Sequence, residues 1–149
     1  MRRLAFVLIT FLGTAALATD GATEADDPLF IDGSQVTLEE FQWLRRPVVV
    51  FADNPNDPRF RQQIDLLEAE PEALALRDVV VLMDSDLLQN SALRESLRPR
   101  GFMLVLVGKD GLVYLRKPQP WTVRELTRSI DKLPLRQQEE RDRRADPIR

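Results

Sequence analysis

The chain of 149 residues carries a formal net charge of −3, with 44% hydrophobic and 30% charged residues. This length and balance predict one globular domain with a hydrophobic core, and the acidic charge gives no electrostatic reason to expect a nucleic-acid partner. The chain contains no cysteine and no histidine, which excludes disulfides, thiol chemistry and imidazole-based catalysis or metal ligation. We predict no cofactor.

Residues 1–18 have the pattern of a secretory signal peptide. Arg2 and Arg3 precede an apolar stretch that ends in Ala-Leu-Ala at Ala18. A positive start, a short apolar core and small residues at the cleavage site define such a peptide, and the apolar stretch is shorter than the roughly 20 residues of a bilayer span. We expect cleavage near Ala18, a periplasmic or secreted mature protein and no stable membrane anchor after cleavage.

Residues 19–34 are acidic and contain glycine, which predicts a flexible leader before a folded domain over residues 35–135. The domain is expected to open with a short helix, because Thr37 and Glu40 have the spacing of a capping box. Pro47 ends this helix and begins an uninterrupted apolar run over residues 47–52. A run without alternation is typical of a strand buried on both faces.

Two further strands and their helices follow along the chain. Asp57 is expected to cap an amphipathic helix whose first residue is Pro58 and which ends near residue 71. Residues 79–83 then form a second buried apolar run. A short helix with Leu93 and Leu97 then leads to a third run over residues 102–107. These runs predict two parallel strands, since a helix connects the first to the second, and a third strand beside them.

The last part of the domain predicts a hairpin and a helix. The turn over residues 108–111 contains Asp-Gly, which is typical of a hairpin, and residues 112–115 supply the returning strand. Thr122 and Glu125 form a second capping box. Residues 136–149 form a polar, charged tail, interpreted as either a solvated helix extension or a disordered end.

The element order predicts an α/β fold with a mixed central sheet of about four strands, two of them parallel, and a C-terminal antiparallel hairpin. Helices on both faces must cover such a buried sheet. The segments over residues 77–81, 108–111 and 130–137 resemble a thioredoxin-like family of uncharacterised proteins, catalogued as domain of unknown function 4174. Its bacterial members are small and carry a signal peptide. The resemblance implies a thioredoxin-like fold and no established activity.

Working thioredoxins, which this fold resembles, carry reactive cysteines in the loop after the first buried strand and a cis-proline before the third. Here that loop covers residues 53–58 without a cysteine, and Phe102 or Met103 stands at the expected proline position. We therefore predict a redox-inactive protein, and thiol–disulfide oxidoreductase activity is excluded because the reacting atom is missing.

Four carboxylates are expected at the carboxyl ends of the two parallel strands, where ligands bind open α/β sheets. They are Asp53, Asp57, Asp84 and Asp86. Oxygen ligands without histidine would suit Ca²⁺ or Mg²⁺, and the group is the basis of an alternative hypothesis of a carboxylate- or divalent-metal-dependent enzyme. The other interpretation is structural, with a helix cap, a turn residue and ordinary strand ends.

The leading hypothesis is a non-catalytic binding or structural module outside the cytoplasm. Its partner would be an unknown protein or a cell-envelope component. The predicted partner surface consists of Trp43, Asp53, Asn54, Phe102 and Met103. An exposed tryptophan is a common anchor of interfaces. By contrast, Trp121 is expected in the core and Lys109 is interpreted as a solvated turn residue.

Overall fold

The computed structural model describes residues 27–146, so the predicted signal peptide lies outside the described residues. Five strands form one mixed sheet in the order β1-β3-β2-β4-β5. The strands are β1 (Phe30–Asp32), β2 (Arg46–Phe51), β3 (Val79–Asp84), β4 (Met103–Val107) and β5 (Val113–Lys117). β1, β3 and β2 are mutually parallel, whereas β4 and β5 are antiparallel to their neighbours.

Helices cover both faces of this sheet, as predicted. The helices are α1 (Pro58–Glu68), α2 (Pro71–Ala75), α3 (Ala92–Leu97), α4 (Val123–Asp131) and α5 (Pro134–Ala145). Val48 and Val50 of β2 point to a core shared with α1, α2 and α4. Val49 and Phe51 point to the opposite face, against α3 and the 3-10 helix Leu38–Phe41. The period of two in a strand explains why one continuous apolar run supplies both cores.

The flexible leader predicted for residues 19–34 is wrong at its end, because β1 lies there and raises the strand count from about four to five. β1 pairs with β3 over Phe30–Asp32, and the N–H of Val81 donates to the carbonyl of Leu29 at 2.7 Å. A strand of three residues is too short to show the alternation of apolar and polar residues by which a strand is predicted from sequence. Its pairing with β3 stabilises it.

The local helix signals agree with the structure. The Thr37–Glu40 and Thr122–Glu125 capping boxes are both formed, and Asp57 caps α1 by accepting from the N–H of Arg59 at 2.9 Å. Among residues 27–146, no helix combines the length and the apolar character that a bilayer crossing requires.

The polar tail begins as a helix packed on the domain. α5 continues to Ala145, and Arg136 within it is buried. The ordered domain therefore extends past residue 135, where the sequence placed its end. Hydrophobic patterning could not indicate this, because α5 is attached to the sheet by charged side chains.

Candidate functional site

The residues predicted as one partner surface lie at two opposite ends of the sheet. Trp43 precedes β2, whereas Asp53 and Asn54 follow it. At about 3.3 Å per residue, the six residues of β2 separate these positions by roughly 20 Å. We call the carboxyl ends of β2 and β3, with the loop over residues 53–57, the acidic end, and the opposite end the Trp43 end.

Asp84 at the acidic end is closed off by a buried ion pair. Its Oδ1 accepts from Nε of Arg94 at 3.0 Å, its Oδ2 accepts from the hydroxyl of Ser91, and both charged side chains are almost completely buried. Nη2 of Arg94 also donates to the carbonyl of Ala52 at 2.5 Å, and the guanidinium carbon lies 5.4 Å from the centre of the Phe51 ring. Because these groups use both carboxylate oxygens, Asp84 is not available as a metal ligand.

The other three carboxylates of the acidic end have separate local roles. Asp86 accepts from the N–H of Leu88 at 2.9 Å, and Asp53 is exposed. The Arg59 side chain donates to Asp57 and lowers the pKa of its carboxyl. Within the described part of the chain, no three acidic side chains are placed together to hold a metal ion.

Phe102 and Met103 do not form an exposed edge. The side chain of Phe102 is 1% exposed, and it contacts the guanidinium of Arg59, whose central carbon lies 5.5 Å from the ring centre. Met103 is partly buried, with its sulfur 3.7 Å from Nη1 of Arg116. No peptide bond between residues 27 and 146 is cis. The prediction of Phe102 as a partner contact is therefore wrong, because its ring fills the core below the acidic end.

Trp43 itself is exposed in an unusual backbone conformation. Its side chain is 64% exposed, and the neighbouring Leu44 is 67% exposed. The φ angle of Trp43 is 65°, in the left-handed region that costs about 1–2 kcal/mol for a residue with a Cβ. A hydrogen bond of 2.7 Å from its N–H to the carbonyl of Lys109 holds this conformation. A contact between distant parts of the chain therefore holds the strained backbone of Trp43, while its large side chain remains exposed to solvent.

A network of ion pairs lies next to Trp43 at the same end. Nζ of Lys109 contacts Asp78 at 2.8 Å and Glu139 of α5 at 3.0 Å, while the buried Arg46 donates to Glu139 at 2.9 Å. Lys109 is thus an ion-paired residue and not the solvated turn residue that the sequence suggested. Burial alone would raise the pKa of Glu139, but the hydrogen bonds from Arg46 and Lys109 outweigh it and lower the pKa.

Sequence reasoning missed the burial of Arg46 and Arg94. Arg94 follows Leu93 on the helix face that packs on the sheet, and Arg46 directly precedes the apolar run of β2. A charged residue in such a position is a usable signal, because arginine enters a core only when it is paired. The partners of both arginines, Asp84 and Glu139, lie too far along the chain for spacing to identify them.

A match to one protein-family model covers most of the domain. The family is described as "Domain of unknown function (DUF4174)", and the match spans residues 37–139. The chain belongs to this family. A curated relative, Coiled-coil domain-containing protein 80 of Danio rerio, is 30% identical over 132 residues, which cover 68% of this chain and 15% of that protein. The chain therefore matches only about a seventh of the length of that relative.

Solved structures establish the fold of this DUF4174 protein. The reduced 2-Cys peroxiredoxin of Plasmodium vivax is similar with a TM-score of 0.55 and 14% identity, covering 69% of this chain and 84% of that one. Chloroplastic thioredoxin z is similar with a TM-score of 0.53 and 19% identity, covering 69% and 90%. The predicted family and the thioredoxin-like fold are both confirmed. The acidic end follows β2, where the thioredoxin fold places its reactive loop.

Proposed function

We propose that this DUF4174 protein is an exported, redox-inactive binding module that contacts a partner protein of the cell envelope through Trp43 and Leu44. The proposal of export rests on the signal-peptide pattern of residues 1–18. The lack of cysteine leaves these 149 residues without the reacting atom of a thiol–disulfide exchange. Binding is the function that a thioredoxin-like scaffold can keep without that chemistry.

The observation that carries the proposal is the strained backbone of an exposed tryptophan. Strained residues persist where the surrounding structure holds them, and they concentrate at functional sites. Tryptophan is also the side chain most enriched among residues that dominate binding energy. Trp43 has a φ of 65°, and its side chain is exposed next to that of Leu44. The hydrogen bond from its N–H to the carbonyl of Lys109 holds the backbone in this conformation. Core packing gives no reason for this arrangement, because the side chain is 64% exposed.

The alternative of a carboxylate- or metal-dependent enzyme finds less support at the acidic end. Asp84 is neutralised by Arg94, and Asp57 is engaged by Arg59 as well as by the start of α1. A divalent-metal site would need several oxygen ligands that face a common point. Asp53 and Asp86 alone do not provide such a group, because Asp86 caps a 3-10 helix.

The test is capture of partners on the immobilised protein from an envelope extract, followed by quantitative mass spectrometry. Trp43→Ala is compared with Leu88→Ala, because Leu88 is 92% exposed but lies at the acidic end. The proposal predicts a reproducible partner whose recovery falls about tenfold or more with Trp43→Ala, as for a central aromatic anchor. The Leu88→Ala variant should retain it.

Two outcomes would contradict the proposal. If Leu88→Ala loses the partner and Trp43→Ala retains it, the acidic end is the binding surface. If every captured protein is recovered equally with both variants, Trp43 is not a binding residue. Circular dichroism of each variant establishes that the bait is folded, and a purified candidate partner is then titrated against the wild-type protein to measure its affinity.

A further inference from the structure

A cavity of about 490 Å³ lies between α5 and the end of α4, and Trp43 is not one of its lining residues. Its lining is dominated by charged side chains. These are Arg77, Asp131, Arg136, Glu140, Arg141 and Arg144. The volume falls within the range of pockets that accept small ligands. Four arginines and two acids give the lining a formal charge of +2.

The carboxylates of the cavity are already bound by two of the arginines. Arg77 donates to both oxygens of Asp131 at 2.8 Å each, and this hydrogen bonding lowers the pKa of the Asp131 carboxyl. Arg136 contacts Glu140 and Glu139 through its terminal nitrogens. Its buried Nε lies 3.8 Å from Asp131 and makes no hydrogen bond. The N–H at Nε of Arg136 is therefore a buried donor that still lacks an acceptor at this end of the cavity.

The excess positive charge comes from Arg141 and Arg144. Both are exposed and line the cavity, and neither forms an ion pair within the part of the chain that the structure describes. A spacing of three residues places them next to each other on one face of α5. Guanidinium groups bind phosphate and carboxylate oxygens in pairs of parallel hydrogen bonds. Two adjacent free guanidiniums on a pocket wall fit one group that carries two negative charges.

We propose that this cavity binds a small dianionic oxyanion, either free phosphate or the phosphoryl group of a monoester. A phosphoryl group carries nearly two negative charges at neutral pH, which matches the two unpaired arginines. The ion pair Arg77–Asp131 and the side chain of Arg136 complete the lining. Arg141 and Arg144 do not belong to the proposed partner surface of Trp43 and Leu44, so their substitution tests this site separately.

The experiment is isothermal titration calorimetry of the purified protein with inorganic phosphate at about pH 8 and low ionic strength, where the dianion predominates and screening is weak. Glycerol phosphate tests the monoester, and acetate serves as a monoanion. The variant Arg141→Gln/Arg144→Gln removes the proposed contacts. The matched control is Arg124→Gln/Arg128→Gln, which removes two exposed arginines of α4 that do not line the cavity.

The expected result is saturable binding of phosphate at one site. Its dissociation constant should rise about tenfold or more in Arg141→Gln/Arg144→Gln and stay within about twofold in the α4 control. Equal binding of glycerol phosphate would identify a monoester as an accepted source, and binding of phosphate alone would identify the free anion. The proposal is overturned if phosphate does not saturate, if acetate competes equally well, or if both double variants weaken binding equally.

Discussion

The two ends of the sheet each bury an arginine, but they neutralise it in different ways. At the acidic end, Arg94 pairs with Asp84, and the two side chains are 6% and 1% exposed. At the Trp43 end, Arg46 is equally buried, but its partners Glu139 and Asp78 are 22% and 44% exposed. One pair is therefore sealed within the protein, and the other keeps contact with water.

This difference in hydration separates an end whose charges are fixed from an end whose charges can exchange partners. A charge pair deep in the interior loses its hydration and is stabilised only when its hydrogen bonds are complete. Its side chains therefore cannot move or exchange partners without a large cost in free energy. Partly hydrated carboxylates such as Glu139 can change partners at low cost. The exposed Trp43 lies at this hydrated end, whereas the end where the thioredoxin fold usually carries chemistry is closed by Arg94.

The largest expected effect is at the sealed pair. Arg94→Met should lower the free energy of unfolding by about 3–5 kcal/mol, because it leaves the carboxylate of Asp84 buried with Ser91 as its remaining side-chain donor. Urea denaturation measures the loss. The double variant Asp84→Leu/Arg94→Met removes both charges and should lose less than the single variant. A loss below about 1 kcal/mol for Arg94→Met would mean that the pair is not sealed.

Arg46→Met should cost less, about 1–3 kcal/mol. Glu139 would keep its contact with Lys109 at 3.0 Å and its access to water, so no isolated charge remains buried. The variant should also speed amide hydrogen exchange in α5, because Arg46 links that helix to β2. A loss equal to that of Arg94→Met, in the same urea measurement, would remove the contrast between the two ends.

Acid should weaken the hydrated end through Glu139. Its pKa is lowered in the folded state, so its stabilising effect is present above the unfolded value of about 4.3 and disappears as the pH falls through the folded pKa. Glu139→Gln should therefore cost about 1 kcal/mol at neutral pH and less at about pH 3. Denaturation at both pH values measures this. Glu68→Gln, at an exposed glutamate of α1, should cost nothing at either pH.

The smallest expected effect is at Trp43, whose backbone has a φ of 65°. Trp43→Gly should be more stable than Trp43→Ala by about 0.5–1 kcal/mol, since glycine adopts a φ of 65° without strain. Thermal denaturation compares the two variants. The same pair at Leu44, which lacks a positive φ, should show the opposite order. If glycine is the less stable residue at position 43, the backbone there is not strained.

Much of the fold could be predicted from short-range patterns. The strands β2, β3 and β4 appear as apolar runs, and the boxes Thr37–Glu40 and Thr122–Glu125 mark two helix starts. These signals are visible because each depends on neighbours within a few residues. The candidate site was predicted less well. The sequence indicates that Trp43 is a surface residue, but it groups Trp43 with Asp53 and Phe102, which lie at the other end of the sheet.

The amino-acid sequence alone therefore determined the class of fold, the family and the lack of cysteine in these 149 residues, because composition and local periodicity carry this information. Tertiary structure decided which charges are neutralised and which side chains share a surface. Arg94 meets Asp84 across ten positions and Arg46 meets Glu139 across 93. Contacts at such separations follow from how strands and helices pack, because nothing in the sequence around a charged residue identifies a distant partner. The left-handed backbone of Trp43 likewise depends on the carbonyl of Lys109, a residue on another element.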